Sequence, residues 1–315
     1  MIGILVGRDG RPSMKKVFSL MKTLAVLTVR RIPPRTKQPY LRVYEGAQVD
    51  KFAKKSINDL KLAGSKIIRW GNRIEAETDK GTIIYNKSEA IAKGTNKKLS
   101  RELFIKGKVR TPQLVTPQTV KESQLPIIAR PSTHAKGKNF VTLKTIGDFA
   151  IHYAANEKNG WYYSEFINKD REFRVHCAHG KILDVMEKAK GGDKIAWNRA
   201  VTGEPFTRVA TKDYPFSVCF QALKACKVLG LDFAGVDVLL YQKEGYVLEV
   251  NTSPTLNSSD HVSLQYAKYF DWLNMSDKRR EHWDFTKFKD PESFSWKNFQ
   301  LAGLDKPPAK QTTTE

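Results

Sequence analysis

The sequence predicts an α/β chain built of α+β lobes, and three observations carry that prediction. Over the first hundred or so residues, apolar runs of strand length alternate with stretches of helical spacing. Further on, two pairs of strand-like runs are joined by short turns, one at His179-Gly180 and one at Lys243-Glu244-Gly245. Between those pairs lies an amphipathic stretch, 215–229, with Val218, Ala222, Ala225 and Leu229 on one side.

In chain order, 2–6 reads as a buried strand ending at Gly7, and 15–29 fits helix or strand equally. Two prolines and four basic residues make 30–38 an exposed loop. Helical spacing returns over 50–62 through Phe52, Ile57 and Leu60, and 66–70 and 82–85 read as short strands. A second helix, 96–105, closes at Gly107 before the turn Thr111-Pro112. A new lobe begins with strand 125–130, the polar loop 131–139, strand 140–143, helix 145–156 and strand 161–167. Strands 172–177 and 181–186, helix 215–229, the hairpin 231–254 and a closing helix 262–273 follow. The stretch beyond 276 is charged with interspersed aromatics; its aromatic-rich part, 282–299, is expected to pack on the first lobe or else to recognise a partner, and 306–315 reads as disordered. The expected domains are therefore a basic α/β lobe (1–95), a linker (96–123), a small lobe (124–168), a larger lobe (169–275) and an extension (276–315).

Composition excludes disordered and fibrous classes, since the 315 residues are 40% hydrophobic and 10% aromatic. The longest early apolar run, 17–29, is interrupted by Lys22 and falls short of a membrane span, so no membrane partner is expected. Cys177, Cys219 and Cys226 lack ligand spacing, and His134, His176 and His179 lack it among themselves. They read as reduced thiols and core or loop histidines of a cytoplasmic protein. The net charge of +21 is concentrated: residues 1–125 carry 27 Lys/Arg against 10 Asp/Glu, and the rest 27 against 23. Such a lobe attracts an acidic macromolecule, nucleic acid or acidic protein, as well as nucleotide phosphates. Oligomeric state is not legible.

The most informative residues are Asp237, Glu249 and Asn251. A three-residue loop at Lys243-Glu244-Gly245 would pair Tyr246 with Gln242, which sets Asn251 opposite Asp237 and Glu249 opposite Leu239. Period-2 geometry then puts all three oxygen-bearing side chains on one face. One acid at a hairpin end is ordinarily solvated. Two carboxylates and an amide packed among Val and Leu call for cations, held at about 2.0–2.1 Å if Mg²⁺.

The order of these pieces, strongest in YVLEVNTSPTL, resembles the ATP-grasp superfamily, in the branch of carboxylate-amine ligases that includes ribosomal-protein-modifying glutamate ligases. The similarity runs from about Tyr85 to Asn257. It implies two lobes that clamp ATP between antiparallel sheets, with Asp237, Glu249 and Asn251 holding two Mg²⁺ (Mn²⁺ as a substitute) on the phosphates. It makes Lys97, with Lys98 as rival, the phosphate-reaching lysine of the linker helix. LPIIARPSTHAKGKN matches the strand and loop over the phosphates, with Arg130 where most members carry Lys and Gly137 allowing close backbone approach. YYSEFI resembles the hinge, with Glu165, Phe166 and Ile167 along the adenine edge. REFRVHCAHGKILDVMEKAKG resembles the strand pair with an acid-x-Arg motif, where Arg174 would neutralise the transferred phosphoryl group or else pair with Glu172. Lys188 and Asn198 match positions lining the acceptor and phosphate side.

The resemblance implies ATP-dependent amide formation from a carboxylate and an amine through an acylphosphate. Two other readings remain open. One is a nucleic-acid-binding protein with a regulatory or degenerate ATP-grasp domain; the other is an enzyme joining an amino acid or polyamine to a modified base or acidic protein tail.

Overall fold

The computed structural model describes residues 2–6, 17, 41–45, 66–71, 73, 81–132, 140–189, 206–256, 260–275 and 277–282. The expected helix 50–62, the loop 30–38, most of the loop 131–139 with His134 and Gly137, Asn198, and the segment beyond 282 lie outside them.

The described strands form three sheets. The first is parallel, in the order β2 (Leu41–Glu45), β1 (Ile2–Val6), β3 (Lys66–Trp70), β4 (Ile83–Tyr85). Two short helices follow, α1 (Ser88–Thr95) and α2 (Lys97–Lys106). Sequence reading missed β2 and α1; LRVYE is a short alternating run, and SEAIAKGT spans barely two turns. Asn96 separates the helices and caps the second, its side chain accepting from the Leu99 N–H at 3.1 Å.

A three-stranded antiparallel sheet, β6 (Val141–Leu143), β5 (Ile127–Pro131), β7 (Trp161–Glu165), carries α3 (Ile146–Asn156). A reciprocal Thr145/Asp148 capping box starts that helix. Phe149, Tyr163, Ile127 and Leu143 make its core.

The third sheet is antiparallel and five-stranded: β10 (Phe206–Arg208), β9 (Lys181–Lys188), β8 (Arg171–Ala178), β11 (Phe233–Tyr241), β12 (Glu244–Asn251). On one face it packs α4 (Phe216–Leu229) through Val218, Ala222, Ala225 and Leu229, all buried as the helical spacing requires. Near the β9 end of its other face, α5 (Asp260–Asn274) brings Tyr266, Tyr269 and Phe270 around Trp70 of β3 and Phe233, tying this sheet to the parallel one. A short helix, α6 (Asp277–His282), follows. No helix among the described residues is long and apolar enough to cross a membrane. The three cysteines are buried free thiols, and His176 lies in the core, where burial and the nearby Arg174 lower its pKa to about 3.

Gly245 marks where β12 presses on α4. A Cβ there would sit 2.8 Å from the Ser217 carbonyl oxygen and 2.9 Å from the Val218 Cα. Both are backbone atoms that cannot swing aside, so Gly245→Ala is expected to cost about 1–3 kcal/mol. A thermal denaturation midpoint equal to that of the parent would contradict this.

Candidate active site

The β11–β12 hairpin differs from the expected one in two respects. Its turn is the two-residue Gln242-Lys243, both with positive φ (48° and 67°), and Tyr241 pairs with Glu244. Such a turn, continued regularly, would put Asp237 opposite Leu248 and send Glu249 to the other face. A β-bulge prevents this. Val238 pairs with Val247 but Asp237 pairs with Glu249, so Leu248 is the extra residue. Glu249 therefore lies opposite Asp237 rather than Leu239, and Asn251 opposite Gly235 rather than Asp237. The three oxygen-bearing side chains still share one face, as expected, although the register that brings them there is different.

Around them the sheet collects cations. Arg174 of β8, the cross-strand neighbour of Asp237, donates from Nε and Nη2 to its two carboxylate oxygens at 2.7 and 2.9 Å. This ion pair is with Asp237 and not with Glu172, the alternative partner offered by the acid-x-Arg motif. Glu172 instead accepts from Lys169 at 2.5 Å and from Lys188, whose ammonium also lies 3.3 Å from Asp237. Burial alone would raise the Asp237 pKa, but Arg174 and Lys188 outweigh it and hold the carboxyl far below its usual range. The same attraction keeps Lys188 charged despite its burial. Lys97, the first residue of α2, reaches Glu249 at 2.5 Å, while Lys98 is exposed. Burial and Asp237 push the Glu249 pKa up; Lys97 and Lys188 more than offset them, and it ends below the ordinary value.

The small sheet contributes residues nearby. Arg130 packs against the Phe140 ring at 5.8 Å and is close enough to bias the ionisation of Arg101 and Lys169. At the end of β7, the Glu165 N–H donates to the Gln113 carbonyl at 3.1 Å and its carboxylate accepts from the Gln113 N–H at 2.9 Å. The Ile167 carbonyl accepts from the Lys169 N–H at 2.8 Å, and Phe166 between them is half-buried. The structure thus gathers Asp237, Glu249, Asn251, Arg174, Lys188 and Lys97, and sets Arg130 nearby.

The donor set fits a hard divalent cation. Asp237 and Glu249 face each other directly, and the buried Asn251 Nδ2 has no hydrogen-bond partner. A half-turn of that amide would present its oxygen, a cation donor, in the same place. Among the described residues no three His, Cys, Asp or Glu side chains cluster to hold a metal, so the third donor here is an amide. Sequence reasoning did not identify Lys169 or Arg101. The one available signal for Arg101 was its place one helical turn after Lys97.

A family model described as a RimK-like ATP-grasp domain matches residues 219–268, which contain the whole β11–β12 hairpin. A probable alpha-L-glutamate ligase of Parasynechococcus marenigrum (strain WH8102) is 23% identical over 226 residues, 67% of this chain and 47% of that protein. The chain thus spans about half the length of that relative. Another, from Aeromonas salmonicida (strain A449), is 23% identical over 252 residues, 75% of this chain and 82% of that one. Among solved structures, the D-alanine–D-alanine ligase of Bacillus anthracis complexed with ATP superposes with a TM-score of 0.53 at 14% identity, covering 89% of this chain and 98% of that one. The ATP-grasp ligase PsnB complexed with minimal precursor gives 0.59 at 14% identity, covering 87% and 99%. This chain has the fold of these ATP-grasp structures, and its carboxylate-bearing hairpin lies in the segment that matches the RimK-like domain.

Proposed function

We propose that this chain is an ATP-dependent ligase that joins a carboxylate to an amine through an acylphosphate. One observation carries the reading: Asp237 and Glu249 face each other on one sheet surface, with Asn251 beside them and Arg174, Lys188 and Lys97 around them. An arrangement of oxygen donors ringed by cations suits a magnesium nucleotide, and Mg²⁺ bound there would neutralise phosphate oxygens.

Lys97 and Lys188 neutralise carboxylates that are themselves cation donors, so both ammonium groups can turn to phosphate once those carboxylates hold a cation. Arg174 stays on Asp237 and offers its remaining charge to the transferred phosphoryl group. Arg130, a planar fork near the end of the small sheet's central strand β5, takes the phosphate role of the usual lysine. Glu165, Phe166 and Ile167 line the adenine edge, while Gly137 and Asn198, which the resemblance assigns to the phosphate and acceptor side, lie outside the described residues. The substrate carboxylate attacks the γ-phosphorus and ADP leaves; the amine nitrogen then attacks the acyl carbon, loses a proton, and phosphate departs. No covalent nucleophile on the protein is needed, and the work is positioning and charge neutralisation.

The name shared by the two relatives makes L-glutamate the first amine to try. The excess of Lys and Arg before residue 125 favours an acidic macromolecule as the carboxylate partner. Incubation with Mg-ATP, glutamate and acidic peptides or nucleic acid, followed by ADP assay and mass spectrometry, tests both. ADP release together with an amide product is expected, stimulated by the acidic partner at low salt. Salt-sensitive binding without turnover would instead favour a nucleic-acid-binding protein, and failure to bind Mg-ATP would end the ligase reading.

A further inference from the structure

Arg101 is 2% exposed, yet among the described residues its hydrogen bonds go to two backbone carbonyls and to no carboxylate. Nη1 donates to Pro112 at 3.0 Å and Nη2 to Leu248 at 3.0 Å. The face of Tyr162 lies 5.9 Å from its guanidinium carbon. Burial works to lower its pKa, partly offset by Tyr162, Glu249 and Glu165 at longer range. Burying a charge this way is costly, and an apolar side chain would fill the space without that cost. What an apolar side chain could not do is fix two carbonyls in a defined relation.

One of those carbonyls belongs to the extra residue of the bulge. Leu248 has no cross-strand partner in β11, and Arg101 captures its carbonyl outside the ladder. The flanking backbone is held from the same side: the Val247 N–H donates to the Arg110 carbonyl at 2.8 Å, and Thr111 Oγ1 donates to the Val247 carbonyl at 2.7 Å. Without the bulge, Glu249 would face the α4 core instead of Asp237. Lys97, one turn before Arg101 on α2, bonds the Glu249 carboxylate itself. A single helix therefore grips both the backbone before Glu249 and its side chain.

We propose that Arg101 is a positioning residue that locks the β12 bulge and so keeps Glu249 on the cation-binding face; the proposal rests on the reading of that face as a magnesium-nucleotide site. When Lys97 turns to phosphate, Arg101 remains and holds the strand in register. Arg101→Met should raise the Mg²⁺ concentration for half-maximal turnover by about 10–100-fold, the usual effect of removing a support behind a ligand. kcat at saturating Mg²⁺ should change much less. Arg101→Lys retains the charge but lacks the fork, and it should show the same direction of shift. Tyr214→Phe, which removes a hydrogen bond to buried Asp184 remote from the bulge, should lower the melting temperature and leave the Mg²⁺ midpoint unmoved. A folded Arg101 variant with the parent's Mg²⁺ midpoint would overturn the proposal. Amide hydrogen exchange without ligand gives a second readout: faster exchange over 247–251 in either Arg101 variant supports the lock, and unchanged exchange overturns it. Because that measurement needs no nucleotide, a parent protein that failed to bind Mg-ATP would defeat the ligase reading while leaving the bulge lock separately decided.

Discussion

Glu249→Gln is expected to lower Mg-ATP-dependent ADP release by about 10²–10³-fold, the scale on which loss of one preorganised electrostatic group is felt. The reason lies in how the charges are already committed. Asp237 is held by Arg174 on both oxygens and touched by Lys188, whereas the ion-pair contact of Glu249 among the described residues is with Lys97, Lys188 acting on it from further off. Glu249 is thus the carboxylate most easily handed from a lysine to a cation. The substitution leaves shape unchanged and removes one negative charge from a face still carrying Arg174, Lys188 and Lys97. Nucleotide measured without divalent cation should therefore bind at least as tightly as to the parent, while the Mg²⁺ dependence of turnover weakens sharply. The fold should persist, because the amide keeps the shape and hydrogen-bonding capacity of the carboxylate and Lys97 keeps partial access to solvent. Nucleotide titrations with and without Mg²⁺, paired with ADP assays, separate the two effects. Full turnover in the variant would remove Glu249 from the chemistry.

How such a site was legible in the sequence, and where it was not, follows from the range of the interactions. Alternation over 233–241 and 244–251 is local, so the strands and the shared face of Glu249 and Asn251 could be read directly. The turn could not. Gly245 suggested a left-handed loop position, but its lack of a side chain serves the close approach of Ser217 and Val218, while Gln242 and Lys243 make the turn. Bulges depend on what grips the backbone from outside, here Arg101 and Thr111, which lie more than a hundred residues away in the chain. The expected hairpin reached the right face by a different register because both registers preserve the same parity. Arg174 was singled out by its motif, but its partner lies 63 residues on, and only the sheet order β8–β11 reveals it.

Arg174→Met is expected to destabilise the fold by about 3–5 kcal/mol, because it leaves the buried Asp237 carboxylate without its bidentate partner. The pH dependence discriminates this from a simple packing loss. In the parent, the Asp237 pKa is depressed, so its contribution is fully present above the unfolded carboxylate value near 3.9 and is lost only as pH falls through the much lower folded value. Without Arg174, burial is the dominant influence and pushes that pKa upward; protonation then relieves the buried charge. The gap in stability between parent and variant should accordingly be widest near neutral pH and narrow as pH falls through about 4. Asp237→Asn alone strands the Arg174 guanidinium, while Lys188 retains Glu172. The double variant Arg174→Met/Asp237→Asn removes both charges together and should recover much of the loss, by the same logic that makes a buried pair expensive to break but cheap to replace. Denaturant titrations of the four proteins at neutral and acidic pH measure the coupling, and a double variant whose loss is the sum of the single losses would refute it. The stable double variant should still fail to turn over Mg-ATP, which would separate the charge that serves chemistry from the neutrality that serves folding.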